Sequence, residues 1–363
     1  MSAVTPSTPT SLPTTTATNG LTRPEDAYYM ALAIESADQG LFTTRPNPAV
    51  GCVIVKDGEI IGRGFHPKAG QPHAEVFALR EAGEQAHGAC DYVTLEPCSH
   101  TGRTPPCAAA LIVAKVARVV VAGLDPNPSV AGRGIAMLQA AGIEVVTGVM
   151  QAQAEALNTG FLKAMRTGLP YVRLKIATSL DGRTAMASGE SKWITGSAAR
   201  TDVQRLRARS AAIITGSETV IADNPSLNVR SEQLGIAVAQ IPQPKIVVLD
   251  RRSRLNADRD YTICHNSDTL FWREDNLLAL LKTLVSEYQC YDVLVEAGAK
   301  VAGSFIAAGL VDELVVYQAP CILGNTARPM VDLSLTNLAT QRRYHCQSHE
   351  AIGNDLKLVF TPL

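Results

Sequence analysis

The fold turns on one stretch: His73-Ala-Glu75-Val-Phe-Ala-Leu-Arg80, and a little later Asp91-Tyr-Val-Thr-Leu-Glu96-Pro-Cys98-Ser-His-Thr-Gly-Arg-Thr-Pro-Pro-Cys107-Ala-Ala-Ala-Leu-Ile-Val113. The imidazole of His73 and the thiolates of Cys98 and Cys107 make a three-ligand N/S set that suits Zn²⁺. Three protein ligands leave the fourth tetrahedral position open, the mark of catalytic rather than structural zinc. Water bound there has its pKa lowered to about 7. Glu75, two residues past His73, is close enough to shuttle a proton without being a ligand. Asp91–Leu95 reads as a strand, which would bring Glu96-Pro97-Cys98 to a carboxyl end. Pro105-Pro106 then opens a helix, so that Cys107 sits where the helix dipole favours a thiolate. His73 and Glu75 open another helix. They lie roughly 200° apart on an ideal one, and both can face one metal only in its first turn. The competing readings are buried thiols or a closed structural clip.

Working outward, Thr22-Arg-Pro-Glu25 has the form of a capping box with proline just inside the helix, and Ala27, Met30, Ala31 and Ile34 continue at helical spacing up to Gly40. A proline-ruled loop, Arg45-Pro-Asn-Pro-Ala-Val-Gly51, leads into the strand Cys52–Lys56, the turn Asp57-Gly58 and the returning strand Glu59–Gly64. Strands over 117–122 and 143–146 flank a helix ending at Gly142. Alternation of this kind specifies an α/β domain with a parallel or mixed sheet, whose ligands gather outside the strands' carboxyl ends. A helix over 151–166 connects to a second α/β half. There, strands are expected at 171–177, 211–215, 245–249, 292–295 and 313–317, and helices at 198–207 and 276–285. The division is a disordered tail over 1–22, a zinc domain over 23–147, a linker helix over 148–169 and a second domain over 170–363.

Composition narrows the function. Net charge is −1, from 33 basic and 34 acidic residues, where a nucleic-acid partner would call for a basic excess. Eight cysteines in 363 residues are no disulfide framework, and the expected compartment is the cytoplasm. Met1–Thr22 is Ser/Thr/Pro-rich, without the apolar run of a signal peptide, and no run of apolar residues is long enough to span a bilayer.

The second half has no metal cluster; Cys264, Cys290, Cys321 and Cys346 read as ordinary thiols. Thr215-Gly-Ser217 and Ala297-Gly-Ala-Lys300 each join a strand to a helix, as phosphate-binding turns do, although such turns are also routine. Arg200, Arg205, Arg207 and Arg209 on one helix read as a solvated face. Two such turns, arginines near both, and Glu296 at a strand's end point together to a dinucleotide and an anionic substrate.

The order His-x-Glu then Pro-Cys is that of zinc nucleobase deaminases, but their second cysteine follows after two residues, and here eight intervene. With that spacing, Asn47-Pro-x-Val-Gly51, His73-Ala-Glu75 and Glu96–Cys107 resemble the deaminase motifs of the bifunctional riboflavin-biosynthesis deaminase/reductase family. Lys175-Ile-Ala-x-Ser-Leu-Asp-Gly182, Ser191-x-Trp-Ile-Thr-Gly196, Thr219-x-x-x-Asp-Asn-Pro-Ser-Leu227 and Glu296-x-Gly298 resemble its reductase motifs.

The resemblance implies an N-terminal cytidine-deaminase-like α/β/α zinc domain followed by a dihydrofolate-reductase-like α/β domain. It implies hydrolytic deamination of a phosphorylated diaminopyrimidine, then NADPH-dependent reduction of its ribosyl group to ribityl, in a homo-oligomer. It carries over His73, Cys98 and Cys107 as zinc ligands and Glu75 as proton shuttle, with Asn47 and His66 on the pyrimidine and His100 and Arg103 near its phosphate. For NADPH it implies Ala177, Trp193, Thr219, Asp223 and the run Gly298, Ala299, Lys300, Val301, Ala302, Gly303 and Ser304. For the second substrate it implies Ser191, Arg207, Leu227, Arg230 and Glu296, with Arg207 and Arg230 as phosphate clamps. Lys175, Asp181, Glu296 and solvent all stand as proton sources, and Arg251-Arg252 as charge for the 2′-phosphate of NADP. The rival readings are a nucleoside or tRNA deaminase with a non-catalytic appendage, and a scaffold built on closed structural zinc.

Overall fold

The computed structural model describes residues 19–99, 105–127, 130–256 and 259–363. The chain forms two compact units. The first holds α1 (Asp26–Asp38), β1 (Gly51–Lys56), β2 (Glu59–Phe65), α2 (Ala74–Ala82), β3 (Cys90–Leu95), α3 (Cys107–Ala114), β4 (Arg118–Gly123), α4 (Arg133–Ala140) and β5 (Glu144–Thr147). Its sheet runs β2-β1-β3-β4-β5. The pairs β1–β2 and β1–β3 are antiparallel, and β3–β4 and β4–β5 are parallel. Asp57 and Gly58, both at positive φ, make the expected hairpin turn.

Alternation along the strands builds three layers. Val53, Val55, Tyr92 and Val120 pack on α1 through Tyr29, Met30 and Ala33. On the opposite face, Cys52 and Ile54 meet Ala74 and Ala78 of α2, while Val93, Val119 and Val121 meet Leu111, Ile135 and Leu138 of α3 and α4. Helix α2 lies directly on β2. A Cβ at Gly62 would come 2.2 Å from the Ala78 carbonyl oxygen, and one at Gly64 would come 2.1 Å from that of Ala74.

The start of this unit differs from expectation. The helix begins at Asp26, and it is Asp26 that accepts the Arg23 N–H at 2.7 Å, so the box expected from Thr22 and Glu25 is not the cap. The same carboxylate takes two bonds from buried Arg118, at 2.6 and 2.9 Å, and one from the Tyr92 hydroxyl. Asn19 and Gly20, placed in the tail by the sequence, bond to the β5 strand: Asn19 Oδ1 accepts from Val145 N, and Gly20 N donates to Val145 O. Residues 1–18 of that tail lie outside the described residues.

Gln39–Ala49 and Pro67–Gln71 group with the second unit, which otherwise runs from Glu155. The single helix expected over 151–166 is two, α5 (Gln151–Leu157) and α6 (Thr159–Thr167). They break at Asn158, whose amide exchanges 2.8 Å bonds with both backbone groups of Ala49. There follow β6 (Tyr171–Thr178), β7 (Arg183–Ala185), α7 (Ser197–Arg209), β8 (Ala212–Gly216), α8 (Ser217–Asp223), β9 (Lys245–Leu249), β10 (Leu270–Trp272), α9 (Leu277–Ser286), β11 (Asp292–Glu296), α10 (Ala299–Ala307), β12 (Glu313–Gln318), β13 (Arg328–Pro329), β14 (Tyr344–Ile352) and β15 (Asp355–Pro362). The main sheet is ordered β10-β9-β8-β11-β6-β12-β15-β14. It is parallel through β12 and antiparallel at β15 and β14. Leu174, Ile214, Val293 and Val316 pack on α9 and α10, and the other face packs on α7 and α8.

A buried acid in the first unit gives a prediction. Asp91 is fully buried, one of its oxygens accepting the Cys52 S–H at 2.9 Å and the other without a partner among the described residues. Burial lifts its pKa from 3.8 to about 7. The folded chain therefore keeps a proton that the unfolded chain releases. Its contribution to stability is complete below about 4 and is lost as pH rises to about 7, on the order of 4 kcal/mol in all. Asp91→Asn should flatten this dependence, so that denaturant midpoints at pH 5 and pH 8 differ less in the variant than in the parent. Equal differences in the two proteins would rule the reading out.

Candidate active sites

In the first unit, β3 ends at Leu95 and the chain runs through Glu96-Pro97 to Cys98, beside the N-termini of α2 and α3. His73 is the residue preceding α2, in extended conformation. It is this step off the helix, rather than a position inside it, that lets His73 and first-turn Glu75 share one site. The ligand atoms of His73, Cys98 and Cys107 all lie within 4.8 Å of one another. His73 Nδ1 stands 3.6 Å from Cys98 Sγ and 3.3 Å from Cys107 Sγ. Zinc–nitrogen and zinc–sulfur bonds at tetrahedral angles require about 3.5 Å, so the set fits zinc, and among the described residues the cluster has three members.

Its electrostatics suit a cation. Cys98 Sγ accepts the Cys107 backbone N–H at 3.3 Å, at the amino end of α3. The two thiols share a proton: Cys107 donating to Cys98 holds the Cys98 thiol well below the usual range and pushes the Cys107 thiol up. Glu75 is almost wholly buried, and burial raises its pKa; its Oε2 has no partner among the described residues. His66 is also buried, its ring edge-on to that of His73 with centroids 5.3 Å apart, its Nδ1 3.0 Å from the Pro72 carbonyl oxygen. Asn47 groups with the second unit, where it lines a small cavity with Arg45 and Asn158. His100 and Arg103 lie outside the described residues.

Two supports were not read from the sequence. Glu96 accepts backbone N–H groups from Gly132 at 2.9 Å and Gly134 at 3.0 Å, and more distantly from Asp125 and Ile135. A Cβ on Gly134 would come 1.9 Å from the Pro97 carbonyl oxygen. The first turn of α4 is thereby pressed onto the Pro97 carbonyl, next to the ligand Cys98.

The second unit carries a cleft of about 990 Å³ along the carboxyl ends of its parallel strands, at the upper end of the range for small-molecule sites. Its walls include Ala177, Ser191, Trp193, Arg207, Thr219, Asp223, Leu227, Arg230, Glu296, Gly298, Ala299, Lys300 and Val301. The two candidate phosphate turns face each other: a Cβ on Gly216 would lie 3.1 Å from Val301 Cγ2, and one on Gly298 would lie 4.0 Å from Thr219 Oγ1. Trp193 is 67% exposed, with the Arg200 guanidinium 4.5 Å from its ring centre. Ser191 donates to Asp223 Oδ1 at 3.3 Å.

Other expectations change here. Ala302 is in the core, Gly303 is pressed against the Asp332 backbone and Ser304 bonds back to Lys300 O, so the cleft wall stops at Val301. Asp181 accepts from Ser179 and from Leu323 N and Gly324 N, closing a turn outside the cleft. Arg207 and Arg209 are not on a solvated face. Arg207 grips Glu296 with two bonds, 2.7 and 3.0 Å, and reaches Asn228 O at 3.3 Å; Arg209 bonds to Ala156 O. Burial would raise Glu296, but the charge and hydrogen bonds of Arg207 more than offset it and hold the carboxyl below its ordinary value. Lys175 stands in the field of that pair; burial lowers its pKa, and the Glu296 charge partly opposes this. Arg230 is a further cation beside Arg207. It lines the cleft while bonding to Asn228 Oδ1 at 3.1 Å.

Sheet, metal cluster and cleft together define a zinc deaminase domain joined to a pyridine-nucleotide reductase domain. Residues 23–123 match the cytidine and deoxycytidylate deaminase zinc-binding region, and residues 170–358 match the RibD C-terminal domain. The chain belongs to the RibD family of riboflavin biosynthesis proteins. It is 48% identical to RibD of Haemophilus influenzae, over 93% of this chain and 98% of that one, and 50% identical to RibD of Escherichia coli, over 92% and 98%. Its fold matches Acinetobacter baumannii RibD with a TM-score of 0.90 at 54% identity, covering 93% of this chain and 99% of that one. A Thermotoga maritima deaminase/reductase matches with a TM-score of 0.85 at 31% identity, over the same shares. The protein is thus a bifunctional deaminase and reductase of riboflavin biosynthesis, using zinc in the first activity and NADPH in the second. Among the described residues no helix is long and apolar enough to cross a membrane.

Proposed function

We propose that the first domain, over 23–147, deaminates 2,5-diamino-6-(5-phosphoribosylamino)pyrimidin-4-one, and that the second, over 170–363, reduces the ribosyl group of the product to ribityl, with 148–169 as linker. The Thermotoga maritima relative is named for these substrates. The observation that carries the reading is one imidazole and two sulfurs converging within 4.8 Å beside a buried, unpartnered carboxyl oxygen.

When bound, zinc supplies the Lewis acidity that makes water nucleophilic at neutral pH. Water adds at the amino-bearing ring carbon. Glu75 takes one proton from it and passes that proton to the ring nitrogen. It then takes the remaining hydroxyl proton of the adduct and passes it to the departing amine, so that the carbon becomes a carbonyl and ammonia leaves. A carboxyl raised by burial suits both directions of transfer. His66, packed edge-on against His73, flanks the ring, and His100 and Arg103 complete substrate binding.

In the cleft, NADPH supplies the hydride. Trp193, Ala177, Thr219 and Asp223 hold the cofactor, and the Gly298–Val301 turn takes its pyrophosphate at the amino end of α10. Ser191, Leu227, Arg230 and Glu296 bind the substrate. Glu296 and Lys175 are the proton-handling groups on that wall. The protein works as a cytoplasmic homo-oligomer.

The test supplies the diaminopyrimidine phosphate and follows ammonia and NADPH together. One ammonia released and one NADPH oxidised per substrate is the expected result. Ammonia without NADPH oxidation would instead identify a deaminase with an inert appendage.

A further inference from the structure

We propose that Arg252 is the residue by which the cleft distinguishes a dinucleotide bearing a 2′-phosphate on its adenosine ribose from one that lacks it. This rests on reading the cleft as the dinucleotide site.

The walls of the cleft follow the sheet order β6, β11, β8, β9. Ala177 lies on β6, and the Gly298 turn follows β11. Gly216 ends β8, and Arg252 stands just past the end of β9 at Leu249. A dinucleotide whose pyrophosphate lies at the Gly298 turn, with its nicotinamide toward Glu296, therefore extends its adenosine ribose toward Arg252.

Four arginines populate this end, and their partners separate them. Arg251 is paired with Asp275 at 2.6 Å and is not on the cleft wall. Arg254 is bound to Glu218 at 2.8 Å and to Ser217 at 3.0 Å. Glu218 does line the cleft, and a lone carboxylate there would favour a ribose hydroxyl over a phosphate. Arg254 answers that charge directly, and the fields of Arg252 and Arg328 reach it too, so Glu218 is held below its ordinary pKa. Arg252 lines the cleft, is exposed, and has no hydrogen-bond or ion-pair partner among the described residues. It is an unpaired cation just past the end of β9, and a guanidinium matches phosphate geometry. Arg328 also lines the cleft and is exposed, with its guanidinium 3.1 Å from where a Cβ on Gly189 would lie.

The experiment is titration of the full-length protein with NADPH and, separately, with NADH, followed by calorimetry and read as dissociation constants. Arg252→Ala should weaken NADPH binding about tenfold to a hundredfold and leave NADH binding unchanged. Arg252→Lys should keep part of the preference. Arg251→Ala and Arg328→Ala should leave the NADPH-to-NADH ratio as it is in the parent. A ratio unchanged in Arg252→Ala, or one that collapses in Arg328→Ala instead, overturns the proposal. A parent protein that binds neither nucleotide overturns the reading of the cleft itself.

Discussion

Glu75→Gln should cut ammonia release by about 10²- to 10⁴-fold, keep one zinc per chain and leave NADPH oxidation intact on the pre-deaminated substrate. Each part has its own cause. The side chain is in the first turn of α2 with an oxygen buried and unpartnered, which is where a proton carrier is needed and not where a ligand is found. Glutamine keeps the shape and cannot carry the proton. Zinc content should hold because His73, Cys98 and Cys107 make the set without Glu75. NADPH oxidation should hold because Lys175, Glu296 and the Gly298 turn belong to a separate unit. Zinc loss in the variant would make Glu75 a ligand. Retained ammonia release would remove it from the reaction.

What could be read beforehand follows the range of the interactions concerned. His73, Glu75, Cys98 and Cys107 were legible because strand, proline and helix signals fall within a few residues of each. The parallel strands were legible as apolar runs such as Val119–Ala122 and Ile213–Ile214, buried on both faces. The β14–β15 hairpin was not, because β14 is exposed along nearly all its length and shows no alternation, although Gly353-Asn354 is a turn signal. Nor could spacing show that Asp26 caps α1 while answering Arg118, since the two are 92 residues apart. Gly62 and Gly64 read as unremarkable strand residues until α2 is seen lying on them. Of the arginines on α7, Arg205 is exposed as its position implies, whereas Arg207 is not, because its partner Glu296 lies 89 residues away.

That pair yields the second large effect. In Arg207→Ala, Glu296 keeps its burial and loses the cation that ionises it, and removing one member of a buried pair costs about 3–5 kcal/mol. The pH dependence should change sign with it. In the parent, Glu296 has a lowered pKa, so its contribution is present above the ordinary carboxyl range and is lost as pH falls through the folded value. Without Arg207, burial is opposed only by the weaker fields of Lys175 and Arg230 and the pKa rises, so the variant should lose stability as pH rises. Arg207→Lys should recover little, because a single ammonium cannot reproduce the two-pronged grip seen at 2.7 and 3.0 Å. Arg207→Ala combined with Glu296→Gln should recover most of the stability by removing the stranded charge, yet remain inactive in NADPH oxidation because the cleft then lacks its carboxylate. The deaminase should be unaffected throughout. Thermal midpoints at pH 5.5 and 8, with KM and kcat for the reductase substrate, decide it. If Arg207→Ala leaves the midpoint unmoved and raises KM alone, Arg207 is a phosphate clamp after all, and the ion pair is incidental to the reaction.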